Sequence, residues 1–212
     1  MTPLKSLLDP PSLLCIDASA AINLNASGAG ERIIAALPVG VMITEAAYRE
    51  LKVCRRTGRD DGAMCAALVA NGSLTRASLS VAAEEAFMRL TVGAAAETLD
   101  DGEAATIAHA QAVSAIAVID ERKGGLLAAK LFPSLRVAST IDLMAEPSVL
   151  AALGADELGE AVFGALQQAR MRVPEVYFEW VERKIGAARL AQCESIPLDR
   201  RQALVRRRSE DA

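Results

Sequence analysis

Apolar positions in this chain gather into short unbroken runs, set between longer stretches of helical spacing. Leu13-Leu14-Cys15-Ile16 is such a run and stops abruptly at Asp17. Val39 to Thr44 (VGVMIT) is a second, and Ala115 to Ile119 (AIAVI) a third that stops at Asp120-Glu121. Short continuous apolar runs bounded by acids, glycine or proline predict strands buried on both faces, as in parallel sheets. Leu74 to Ala77 and Arg136 to Ala138 predict two further short strands. Helical spacing fills the gaps: 18–25, 31–37, 45–52, 63–70, 81–90, 100–113 and 126–131, the last following Arg122-Lys123-Gly124-Gly125. Strand and helix alternate, which argues for βαβ units and a parallel sheet. Beyond about Glu146 no strand pattern recurs. Residues 146–186 read as helical, with breaks at Gly154 and Pro174.

This pattern divides the chain into an α/β unit over 12–145, a helical extension over 146–190 and an arginine-rich tail over 191–212, preceded by a lead-in that ends at Pro10-Pro11. The 212 residues suffice for one sizeable core. Hydrophobic residues make up 52 % and charged residues 24 %, a globular balance, while aromatics reach only 3 %. The formal net charge is -4, so a nucleic-acid partner would have to meet local basic patches. No apolar run approaches the roughly 20 residues of a membrane span, and no secretory leader is expected. The spacings of Cys15, Cys54, Cys65 and Cys193 make no zinc or redox pair. Reduced thiols and a cytoplasmic location are therefore expected.

Ser27-Gly28-Ala29-Gly30 lacks the third glycine of a dinucleotide-binding turn and lies too far from the first strand. Tyr177, Phe178 and Trp180 crowd one short helix and read as a core or dimer seam, with base stacking the alternative. The five arginines after Asp199 read as a solvated tail, or as a contact to phosphates or an acidic partner.

The acids carry the chemistry. Ligands in open α/β sheets sit outside the carboxyl ends of the strands, where Asp17 and Asp120 are expected. Glu50 lies near the edge of the buried face of helix 45–52. Glu103 falls in the first turn of a helix capped by Asp100 or Asp101. A capping box, Asp100-x-x-Glu103, is an equally good structural reason for that residue. His109, the sole histidine, is expected on the helix surface. Four carboxylates drawn from separate parts of the chain cannot share a site cheaply unless a cation neutralises them. Magnesium or manganese takes oxygen ligands and promotes attack of water on a phosphodiester. No serine–histidine pair, zinc set or P-loop competes.

The segments LLCIDASAAINL, VMITEAAYRELK, LDDGEAATIAHAQ and AVIDERKGG, in this order, resemble a PIN domain, the fold of VapC-type toxins of toxin–antitoxin pairs. The likeness is closest to the branch with Gly-Glu-Ala and Ile-Asp-Asp/Glu-Arg-Lys-Gly motifs. It implies a three-layer α/β/α sandwich with a short, mostly parallel sheet, here followed by the C-terminal helices. It further implies an Mg2+- or Mn2+-dependent ribonuclease, with an antitoxin protein and a homodimer as partners; the apolar C-terminal helices offer a dimer seam. By the same resemblance Asp17, Glu103 and Asp120 hold the metal, Glu50 completes the acidic pocket, and Glu121 is a weaker candidate beside Asp120. Ser19 matches a small or hydroxyl position of the family, and Arg122 and Lys123 stand next to the site, where they could meet substrate phosphate. The family's usual hydroxyl two residues before the fourth acid is replaced by Val118.

Two other classes stay open. One is a catalytically silent binding or regulatory module on the same scaffold. The other is a magnesium-dependent phosphatase of the haloacid-dehalogenase kind, which needs Asp-x-Asp after the first strand; Ser19 occupies the second position.

Overall fold

A computed structural model describes residues 12–53 and 58–210, so the lead-in, Cys54 and the start of the charged loop at 55–57 lie outside the described residues. The elements are β1 (Leu14–Ile16), α1 (Ala18–Ala26), α2 (Gly30–Ala36), β2 (Val41–Thr44), α3 (Glu45–Val53), α4 (Asp61–Ala70), β3 (Thr75–Ala77), α5 (Val81–Thr91), α6 (Asp101–Ala112), β4 (Ile116–Val118), α7 (Arg122–Leu131), β5 (Val137–Ala138), α8 (Thr140–Met144), α9 (Pro147–Gln168), α10 (Phe178–Ile185), α11 (Ala187–Leu190) and α12 (Leu198–Glu210). The strands form one sheet in the order β3-β2-β1-β4-β5, parallel throughout. β1 is central: Leu14 pairs with Val41 and Ile116, and Ile16 with Ile43 and Val118.

Alternate residues of each strand serve different layers. Leu14, Ile16, Val41, Ile43, Ile116 and Val118 point into a core shared with α1, α2, α8 and α9. Cys15 and Ala117 point the other way, with Leu90 of α5, Ile107 of α6 and Leu127 of α7. Helices thus cover both faces, giving the expected α/β/α sandwich. Each fully buried Leu or Ile here contributes about 1.5–3 kcal/mol.

Three local expectations change. α7 begins at Arg122, four residues earlier than Leu126, and runs through Gly124 and Gly125. A Cβ at Gly124 would lie 2.8 Å from both Glu103 Oε1 and Ile119 Cγ2, so this glycine permits close approach instead of breaking the helix. His109 is buried rather than on the surface, because its whole helix lies between the sheet and α5. The arginine-rich stretch is helical as α12, with Leu204 buried and Arg200 stacked over Phe178, 4.3 Å from its ring centre.

The C-terminal helices pack onto the sheet's own core. Val149, Leu158, Val162 and Leu166 of α9 and Val181 of α10 are fully buried with Leu14 and Ile16. Gly154, at φ 78°, supplies the expected break within α9. Tyr177 meets Trp180 edge-on at 6.2 Å, and its hydroxyl donates to Asp142 Oδ1 at 2.6 Å. The aromatic cluster therefore works inside the chain, latching the C-terminal helices to the sheet edge.

Candidate active site

The carboxyl ends of β1 and β4 open onto a cleft of about 230 Å³, lined by Asp17, Ser19, Glu50, Asp100, Glu103 and Glu121. Asp17 leaves β1 and caps α1. Its Oδ1 accepts from Ala20 N at 2.7 Å, and the Ser19 hydroxyl is 2.9 Å and 2.7 Å from its two oxygens. Only 2 % of Asp17 is exposed. Burial pushes its carboxyl well above the ordinary range, the charges of Asp120 and Glu103 push it further, and the Ala20 and Ser19 bonds oppose them.

Glu103 reaches the cleft from the first turn of α6. Asp100 caps that helix, accepting from Glu103 N at 2.9 Å. Among the described residues no bond returns from the Glu103 carboxylate to close a capping box, and its buried Oε1 has no hydrogen-bond partner. Its pKa rises to about 7, through burial first and then through Asp100, Glu121 and Glu50, with Lys123 pulling the other way. Glu50 crosses from α3 to the same helix start, where its Oε1 accepts from Gly102 N at 2.9 Å. Burial and then Asp100 raise its pKa. A Cβ on Gly102 would lie 2.6 Å from Glu50 Cδ, so that bond also needs a glycine.

Asp120 stands behind Asp17, outside the cleft lining. Its Oδ1 accepts from Thr140 N at 2.8 Å. Its Oδ2 accepts from Asn23 Nδ2 at 2.6 Å and from the Thr140 hydroxyl. Burial raises its pKa against those three bonds. Glu121, exposed, lines the cleft in its place. Arg122 lines a neighbouring cavity, and Lys123 Nζ donates to Ala95 O at 2.6 Å.

Sequence reasoning missed Asn23, Thr140, Gly102 and Gly124, and gave Asp100 only a capping role. Asn23 had left a signal, as a polar residue on the apolar helix that Asp17 opens. Thr140 had none, because only tertiary packing brings α8 to the end of β4.

The PIN-domain profile matches residues 13–187, from β1 through α10. The chain belongs to the PIN-domain family. Its members generally carry nuclease activity and use divalent metal ions. No curated protein and no solved structure matches the chain.

The PIN cleft here suits a hard divalent cation. Its donors are carboxylate and hydroxyl oxygens, and one buried carboxylate oxygen, Glu103 Oε1, lacks a proton donor among the described residues. Among the described residues, no three Asp, Glu, His or Cys groups stand close enough to chelate an ion by themselves. Holding an ion here would therefore call on water as well as protein oxygens, as magnesium accepts. No helix among the described residues is long and apolar enough to cross a membrane.

Proposed function

We propose that this chain is an endoribonuclease that hydrolyses RNA phosphodiester bonds with Mg2+ or Mn2+, as the toxin of a toxin–antitoxin pair or a related PIN nuclease. The unpartnered carboxylate of Glu103, in one cleft with the buried Asp17, supports this reading most directly. A divalent cation there would offset charge on the phosphoryl oxygens and make a water more acidic. Asp17 and Glu103 would hold it, directly or through water. Asp120, fixed by Asn23 and Thr140, would add negative charge behind Asp17 and contribute through water. Glu50, held by Gly102 N, would complete the acidic wall and orient the attacking water. Ser19 keeps the Asp17 carboxylate turned in one direction.

A cytoplasmic location, a homodimer and an inhibitory antitoxin belong to the same proposal. The apolar sides of α9 and α10 are taken up by the chain's own core, so the dimer rests on the family resemblance.

The test is cleavage of a mixed pool of structured and single-stranded RNAs with Mn2+, beside the same reaction in EDTA and with Asp17→Asn and Asp120→Asn. Cleavage that needs the metal and falls at least 100-fold in both variants is expected. A folded, inhibitor-free protein that leaves every RNA intact would overturn the proposal.

A further inference from the structure

A second cavity, about 310 Å³, adjoins the acidic cleft across Glu121, which lines both. Its walls include Arg122 at the start of α7, Ser139 and Asp142 beyond β5, and Arg172 and Pro174 from the segment between α9 and α10. Asp142 is occupied: Oδ2 accepts from Ser139 N at 2.8 Å and from its hydroxyl at 2.5 Å, and Oδ1 accepts from Tyr177 at 2.6 Å. Among the described residues, Arg122 and Arg172 make no ion pair, whereas the nearby Arg170 is paired with Glu194 at 2.6 Å and Arg200 with Glu175 at 2.5 Å.

Arg172 is also placed firmly. Its neighbours Met171 and Val173 are buried at 1 % and 7 % exposure, while Arg172 itself is exposed. Arg170, at φ 55°, redirects the chain just before it, and the Tyr177 latch fixes the segment after it. Two unpaired guanidinium groups on one cavity wall suit a tetrahedral anion, since each presents a planar fork of donors that matches phosphate oxygens.

We propose that this cavity is a phosphate subsite for the RNA strand, in which Arg122 and Arg172 hold a backbone phosphodiester near the one that lies in the acidic cleft. The C-terminal helices then contribute to substrate binding and to the path of the strand. This inference rests on the ribonuclease reading, because Glu121 forms the wall between the two cavities.

The test separates binding from cleavage. Fluorescence anisotropy with a labelled oligoribonucleotide in EDTA measures binding without turnover. It compares the wild type with Arg122→Gln, Arg172→Gln and, as a control, Arg183→Gln, an exposed arginine of α10 that faces Glu179. Each cavity variant should weaken binding about 10-fold and lower the slope of log Kd against log salt by about one. Arg183→Gln should change neither. Oligomers with and without a 5′-phosphate should behave alike, since an internal phosphodiester is the ligand; arginine dependence seen only with the 5′-phosphate would overturn the proposal.

An absence of RNA binding by the wild type would overturn it, as would equal binding by all four proteins. So would arginine dependence for poly-glutamate but not for RNA, which would assign the cavity to an acidic protein partner. Arginine-dependent binding without Mn2+ cleavage would remove the nuclease reading and leave the subsite. Cleavage indifferent to both arginines would do the reverse.

Discussion

The two sides of the sheet's carboxyl edge differ in one acid that hydrogen bonds leave unheld. On the β4–β5 side Asp120 is held by Thr140 and Asn23, and Asp142 by Ser139 and Tyr177. On the β1–α6 side Asp17 is held by Ala20 and Ser19 and Glu50 by Gly102, but among the described residues the buried Glu103 Oε1 has no donor. A buried carboxylate that receives hydrogen bonds is part of the framework. One left without them stores unfavourable charge, which natural structures tolerate chiefly at functional sites. Glu103 is the acid of the second kind, and the proposed cation would neutralise it.

The largest effect should come from intruding on the unheld side. Gly124→Ala places a Cβ against Glu103 Oε1 and should lower kcat by about 10–100-fold, since a shift near 1 Å at a reacting centre costs that much. Steady-state cleavage kinetics check it. Unchanged kinetics would show that the position of Glu103 does not matter.

Stability should then split the two sides in sign. Thr140→Val removes one donor from Asp120 and should cost about 1–2 kcal/mol, a fall in Tm of about 2–8 °C. Asp17→Asn relieves a buried charge and should raise the Tm of the metal-free protein. Differential scanning calorimetry in EDTA reads both. Shifts of the same sign would erase the distinction.

The same asymmetry bears on how much the sequence disclosed. β1 and β4 were legible because each is an unbroken apolar run closed by an aspartate, and parallel strands have no solvent face to interrupt the run. Asp17 and Glu103 were legible as acids that end a strand and open a helix, Glu50 as an acid at the edge of a buried helix face, and the structure brings them to one cleft. The holding network was not legible. Asn23 and Thr140 meet Asp120 across 97 and 20 residues of chain, a pairing that no local spacing records. The place of Gly124 inside α7 was not legible because its reason, a neighbouring carboxylate on another helix, is tertiary. His109 was expected outside because the apolar stripe of α6 was drawn too narrow; Gly102 to Ala110 are all buried.

The smallest effect is the pH dependence of the metal-free protein. Glu103 titrates near 7 when folded against an ordinary 4.5. The folded state therefore binds the proton more tightly than the unfolded chain. Its contribution is fully present below about 4.5 and is lost as pH rises through 7. On this account Tm in EDTA should fall by roughly 5 °C between pH 5 and pH 8, and Glu103→Gln should lessen the fall, the remainder coming from Asp17, Glu50 and Asp120, whose carboxyls burial also raises. His109, whose protonated form burial disfavours, works in the opposite sense in both proteins. A slope that Glu103→Gln leaves intact would place its origin elsewhere.

Binding of Mn2+ itself is the most direct test of a cation's place between these acids. Titration followed by calorimetry or by the loss of the free-ion electron paramagnetic resonance signal needs no RNA and no turnover. Wild-type protein should take up Mn2+ and gain Tm, and Glu103→Gln and Asp17→Asn should each weaken that uptake at least 10-fold. Uptake that ignores both substitutions, or none by the folded wild type, would contradict the assignment of the cleft.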